Sequence, residues 1–280
     1  SRKNIHAHYD LGNDFYSLWL DPTRTYSCAM WESEGESLEA AQLRKLDYLA
    51  LGAGAVGAQR VLDVGCGWGS MLRRLVSEHG VERAVGLTLS TAQHDYVTAT
   101  LGESCEAVVE NWADHEPDEP YDAIVSIGAF EHFADFGMGR PARLRAYSRF
   151  FERCREWLPR GGRLALQTIV KGSNVRLDRQ MTRDLIFIAK RIFPESEIPW
   201  LSEAVEASER RFDLVSVRND PDHYARTCRV WAASLRHRRE AAVARVGEET
   251  VADYERYLDA SAVAFERRHV GLARLVLERV

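Results

Sequence analysis

The chain has 280 residues, with 37 Lys and Arg against 42 Asp and Glu for a formal net charge of -5. That mild acidity argues against the uniformly basic surface of a dedicated nucleic-acid binder. Five cysteines without CxxC spacing argue against a disulfide scaffold or zinc knuckle, and no apolar run approaches the roughly 18 to 20 residues that cross a bilayer, so a reducing, cytoplasmic setting with no bound metal is expected.

Leu38 to Leu51 carries apolar residues at Leu38, Ala41, Leu43, Leu46 and Leu49 to Leu51, the stripe of an amphipathic helix. Beyond the Gly/Ala-rich stretch 52–57, Arg60 to Val64 reads as a short buried strand. Gly65 to Gly69 breaks it, and Ser70 to Glu78 has helical spacing. A strand at Ala84 to Leu89, a helix over Thr91 to Leu101, and strands at Glu106 to Val109 and Tyr121 to Ile127 follow. Arg143 to Trp157 is a helix that Pro159 and the Gly161-Gly162 pair terminate, and Arg163 to Ile169 is a fifth strand. This alternation predicts a parallel sheet wound by right-handed crossovers.

After Ile169 the alternation fails. The pattern predicts one long helix over Val175 to Phe193, a helix near Glu203, and a strand at Phe212 to Val217. Helices over His223 to Val246 and Glu248 to His269 come next, then a closing strand at Leu272 to Val280. The expected organisation is α/β: an N-terminal cap segment 1–52, a wound core 53–170, cap insertion helices 171–210, and a stretch 211–280 that completes the sheet and adds cap helices.

Asp63 to Gly69 reads D-V-G-C-G-W-G between a strand and a helix, where glycines permit a tight turn and close approach of backbone to a ligand. The spacing is GxGxG after an acid, not the GxGxxG of dinucleotide sites, and no Walker lysine follows. LDVGCGWGS at Leu62 to Ser70 resembles the S-adenosylmethionine loop of class I methyltransferases. Three further motifs widen the likeness: HYDLGNDFYSLWLDPTRTYSCAMW ending at Trp31, GLTLSTAQ at Gly86 to Gln93, and SIGAFEHF at Ser126 to Phe133. Together they resemble the cyclopropane-fatty-acid synthase and mycolic acid cyclopropane synthase family.

The resemblance implies a Rossmann-like class I methyltransferase sheet of seven strands, mostly parallel, under a helical cap. For the cofactor, it implies that Tyr9, Tyr26 and Ser27 close over the methionine part, with Asp63, Gly65 and Gly67 forming the loop. Thr88, Leu89 and Gln93 would surround the ribose, and Trp112 and Ala113 would flank the adenine, whose flat ring suits an aromatic wall. Position 113 is often acidic in the family, so Ala113 removes one acceptor for the adenine amine.

The resemblance further implies transfer of a methyl cation to an alkene, followed by loss of a methyl proton as the cyclopropane closes. Such a site needs a dry pocket, aromatic faces for positive charge, and one proton acceptor of modest strength. In the family a bound bicarbonate is that acceptor. The matching positions are Cys28 and Ile169 through their backbones, Glu131 and Tyr224, with Gln167 where His is usual. Gln donates a hydrogen bond but carries no charge, which weakens its hold on an anion. Glu131, in the mostly apolar Ala-Phe-Glu-His-Phe, occupies a costly place for an idle carboxylate. Ser261 stands where relatives commonly have Cys.

The aromatic candidates for the pocket are Tyr9, Phe15, Tyr16, Trp31, Phe130, Phe187, Tyr224, Trp231 and Phe265. Val175 to Phe193 combines Leu185, Ile186, Phe187 and Ile188 with Arg176, Arg179, Arg183, Lys190 and Arg191. It reads either as the lining of an acyl channel with charge for an acyl carrier or a phospholipid headgroup, or as a cap helix with a solvated basic face. The expected acceptor is an unsaturated lipid or acyl chain, giving a cyclopropane or methyl branch. Gln167 and Ser261 keep open a specialised methyltransferase acting on a small alkene, isoprenoid, aromatic carbon or amine, and a catalytically dead cofactor-binding module is the non-enzyme alternative.

Overall fold

The computed structural model describes residues 11–194 and 196–280; Tyr9 lies outside them. Seven strands form one sheet: β1 (Arg60–Val64), β2 (Arg83–Thr88), β3 (Cys105–Val109), β4 (Ala123–Ile127), β5 (Arg163–Lys171), β6 (Phe212–Asn219) and β7 (Val270–Arg279). Their spatial order is β3-β2-β1-β4-β5-β7-β6. The first five strands are parallel, and β7 runs antiparallel to both β5 and β6. β1 pairs with β2 on one side and β4 on the other, so the strand order reverses at its carboxyl end, where open α/β sheets bind ligands.

Ten α-helices accompany the sheet among the described residues: α1 (Asn13–Tyr16), α2 (Leu38–Gly52), α3 (Ser70–His79), α4 (Thr91–Thr100), α5 (Arg140–Trp157), α6 (Arg179–Phe187), α7 (Leu201–Ser208), α8 (Pro221–His237), α9 (Arg239–Val246) and α10 (Glu248–Glu266). One core cluster packs Tyr147, Phe150, Phe151 and Trp157 of α5, with Ala204 and Ala207 of α7, against the strands. Another joins Leu46 and Leu49 of α2, Met71, Leu72 and Leu75 of α3, and Val97 of α4 to Val61, Ala84 and Val125. Residues 38–52, grouped by sequence with the cap, thus cover a face of the sheet. The cap has its own core, where Phe15, Tyr16 and Trp19 meet Trp231 and Leu235 of α8 and Tyr254, Leu258 and Phe265 of α10.

Several boundaries differ from the sequence expectation. The long helix over 175–193 is not formed. α6 starts only after Asp178, whose carboxylate accepts from Met181 N at 2.7 Å, and it gives way to a single π turn at Ile188–Ile192. The expected helix over 223–246 is two helices, because Arg238 leaves helical geometry at φ -106° and ψ 21°. β4 starts at Ala123, since the Tyr121 and Asp122 amides bond to Trp157 and Arg60 carbonyls. No helix among the described residues is long and apolar enough to cross a membrane.

Candidate active site

The carboxyl ends of β1, β2 and β4 open onto a cavity of about 220 Å³. Gly65 and Gly67 follow β1 with φ of 89° and 55°, backbone that L side chains rarely adopt. A Cβ on Gly65 would lie 2.7 Å from Ala129 Cβ, so that glycine permits the close packing of two loops. A Cβ on Gly67 would meet nothing within 4 Å, and Gly67 lines the cavity as bare backbone. Thr88, Leu89 and Gln93 form another wall, where Thr88 Oγ1 donates to Gln93 Oε1 at 2.7 Å. Trp112 supplies a flat face, its ring braced by Phe133 and Phe150 at centroid distances of 4.9 and 5.4 Å. Tyr26 and Ser27 reach in from the cap.

Asp63, also in this wall, is 2% exposed, and its Oδ1 is buried with no partner. Burial pushes its carboxyl up to about 7 against the pull of Lys45. Bare glycine backbone, an aromatic wall and an unanswered buried acceptor fit S-adenosylmethionine, which carries an adenine ring and an ammonium group. Ala113 is not in the cavity wall. Its N–H donates to Asn111 Oδ1 at 3.0 Å, so that side chain and Glu110 stand where the sequence reading places Ala113.

A second cavity, about 490 Å³, shares Tyr26, Ser27, Gly128 and His132 with the first. Ile169, Leu185, Ile188, Phe193, Ile198 and Leu272 make it chiefly apolar, and the exposed Phe136, Val175, Leu177 and Trp200 rim it. Glu131 projects from the 3-10 turn Phe130–His132 just after β4. Its Oε1 accepts from Ile169 N, its Oε2 is buried with no partner, and burial pushes the carboxyl up to about 7. Tyr224 of α8 stacks on Phe265 with centroids 4.5 Å apart, and burial raises its hydroxyl well above the usual phenol range. Burial also pushes His132 down to about 4, so it is a neutral imidazole, bonded to Ser196 Oγ at 2.8 Å.

Glu131, Gln167, Ile169, Tyr224 and Ser261 therefore share one cavity. Cys28 lines neither cavity. It is fully buried, burial pushes its thiol up to about 12, and its carbonyl accepts from Gln167 Nε2 at 3.5 Å. Of the aromatic candidates among the described residues, only Tyr224 and Phe265 are in the wall of the larger cavity. Phe15, Tyr16 and Trp231 fill the cap core, Trp31 packs on Ala29 and Ala41, Phe130 stacks on Tyr147, and Phe187 is covered by Arg256. Sequence reasoning missed Tyr257, Trp200 and Phe136, which do line it, as does Phe193 at the end of the segment read as an acyl-channel lining. It also missed Lys45 in the smaller cavity, fully buried with Nζ donating to Ser27 Oγ at 2.8 Å. Burial, then Arg274, pushes the Lys45 ammonium down to about 7.

Known proteins share this sequence pattern and fold. The sequence model of the mycolic acid cyclopropane synthetase family matches residues 1–275. Cyclopropane mycolic acid synthase 3 of Mycobacterium tuberculosis is 36% identical over 291 residues, covering 99% of this chain and 96% of that protein. The structure of the cyclopropane synthase MmaA2 from Mycobacterium tuberculosis superposes with a TM-score of 0.89 at 35% identity, covering 99% of this chain and 98% of that one. That of mycolic acid cyclopropane synthase CmaA1, complexed with SAH and CTAB, superposes with a TM-score of 0.88 at 34% identity, with the same coverage. The chain belongs to the mycolic acid cyclopropane synthetase family and is an S-adenosylmethionine-dependent methyltransferase with the Rossmann-like class I fold.

Proposed function

We propose that this enzyme methylates the double bond of an unsaturated lipid or acyl chain lying in the 490 Å³ cavity, giving a cyclopropane or a methyl branch. The carrying observation is the apolar cavity that meets the cofactor cavity at Tyr26, Ser27, Gly128 and His132, with the unpartnered Glu131 Oε2 in its wall. When bound, S-adenosylmethionine supplies an electrophilic sulfonium methyl. Gly65, Gly67, Asp63, Thr88, Gln93 and Trp112 would hold it, with Tyr26 and Ser27 over its methionine part. The apolar walls exclude water that would trap a carbocation, and the stacked Tyr224 and Phe265 rings offer π-faces to positive charge.

Glu131 Oε2 is the final acceptor of the proton lost as the ring closes. Bicarbonate, which the resemblance implies, would be held by Gln167, Tyr224 and Glu131, because the Ile169 N–H is already engaged by Glu131 Oε1. Methyl-transfer rate measured against bicarbonate in degassed buffer separates the two routes. A flat response means direct acceptance by Glu131, and a rising one means a bound bicarbonate.

The rim adds a partner. Arg176, Arg179 and Lys190 are exposed beside Val175, Leu177 and Ile186, and none has a carboxylate partner among the described residues. An exposed basic and apolar segment that also supplies Val175, Leu177 and Ile188 to the cavity wall suits an acidic acyl carrier or the surface of anionic lipid. The five cysteines, all free, suit the cytoplasm. Labelled S-adenosylmethionine offered with unsaturated phospholipid vesicles, an unsaturated acyl thioester and small amines tests this reading. Gain of one CH2 on an acyl chain supports it, and methylation of amines alone overturns it.

A further inference from the structure

Gln167 and Arg274 are direct cross-strand partners of β5 and β7. The Arg274 side chain is 0% exposed, and each of its donor groups is engaged: Nε to Gln167 Oε1 at 2.8 Å, Nη1 to Asp220 Oδ2 at 2.5 Å, and Nη2 to Ala29 O at 3.1 Å and Cys28 Sγ at 3.6 Å. A guanidinium only donates, so the carboxamide atom facing it is the oxygen and the Gln167 NH2 must turn the other way. There it meets the Cys28 carbonyl only at 3.5 Å, the outer limit of a hydrogen bond, and Gln167 lines the acceptor cavity.

Resting on the functional reading above, we propose that Arg274 is a positioning residue for methyl transfer. It locks Gln167 as a hydrogen-bond donor to an oxyanion in the acceptor cavity and places behind that neutral amide the positive charge it lacks. The same guanidinium ties together three segments of the site. Asp220 precedes Pro221, where α8 begins on its way to Tyr224, and Cys28-Ala29 continues from Tyr26 and Ser27. Without Arg274 the amide is free to flip and present its oxygen, which repels an anion.

The test compares the parent with Arg274→Gln in ¹⁵N-labelled protein, assigning the Gln167 side-chain amide by its loss in Gln167→Glu. The parent should show a sharp, distinct amide pair, and Arg274→Gln should show that pair shifted and broadened. In Arg274→Gln, kcat should fall about 10- to 100-fold while SAH affinity and acceptor KM stay near the parent's. A folded Arg274→Gln protein with an unchanged amide pair or parent-like kcat overturns the proposal. Should that variant not fold, Gln167→Glu decides, because it keeps an acceptor for Arg274 and removes the NH2. It should fold, bind SAH and lose turnover, and parent-like turnover overturns the donor role. If the parent methylates no alkene, the functional reading falls, while the amide signals still decide whether Arg274 orients Gln167.

Discussion

Glu131 and Ile169 are joined by a hydrogen bond of 2.5 Å from the Ile169 backbone N–H to Oε1, which leaves Oε2 buried and unanswered. One oxygen anchors the side chain to β5, and on the proposed function the other takes the proton. Glu131→Gln keeps the volume and removes the base, so turnover should fall about 100-fold or more while SAH affinity stays near the parent's. Steady-state rates and calorimetry on one preparation check this, and parent-like kcat refutes the role.

The same carboxyl sets a pH dependence. Burial holds it up to about 7, and only its ionised form accepts a proton, so log kcat should rise with unit slope below about pH 7 and level off above. Stability runs the other way. A carboxyl raised above its unfolded value of about 4.3 favours the fold at low pH, and that contribution is lost as pH climbs through about 7. Relative to the parent, Glu131→Gln should therefore melt higher at pH 8 than at pH 5, which thermal scans at the two values measure.

Gly67 and Gly65 should fail differently. At Gly67 a new Cβ meets no protein atom within 4 Å but sits at φ 55°, so Gly67→Val should lose some stability to backbone strain while calorimetry on the folded protein finds no SAH binding. Gly65→Ala drives a methyl against Ala129 Cβ at a positive φ, and should cost stability, about 1–3 kcal/mol by denaturant titration.

Lys45 reaches the cofactor cavity through Ser27, at the end assigned to the methionine part. Lys45→Met keeps the length of the side chain and removes the donor. It should weaken SAH about tenfold or more and leave 5′-methylthioadenosine, which lacks the amino-acid group, bound as in the parent. Equal losses for both ligands would show that Lys45 supports the fold alone.

The glycine loop, Gln93 and Glu131 are legible in the sequence because each sits in a contiguous motif at the end of a strand. Lys45 and Arg274 are harder to read, although each leaves a trace. Lys45 interrupts the apolar stripe of Ala41, Leu46 and Leu49, and Arg274 interrupts the buried run Val270 to Leu277. A lone cation in such a pattern signals a buried partner, but periodicity does not say which. The partners Ser27 and Gln167 are 18 and 107 residues away. Apolar spacing likewise ran 175–193 into one helix, since it does not register that Asp178 caps a new start.

Beyond the four wall residues they share, the two cavities are lined by different residues, Arg24, Glu110 and Asn111 in one and Phe136, Val175 and Leu177 in the other. On the proposed function, an acceptor held by the second set leaves the first set to the cofactor, so SAH should bind the acceptor-loaded enzyme.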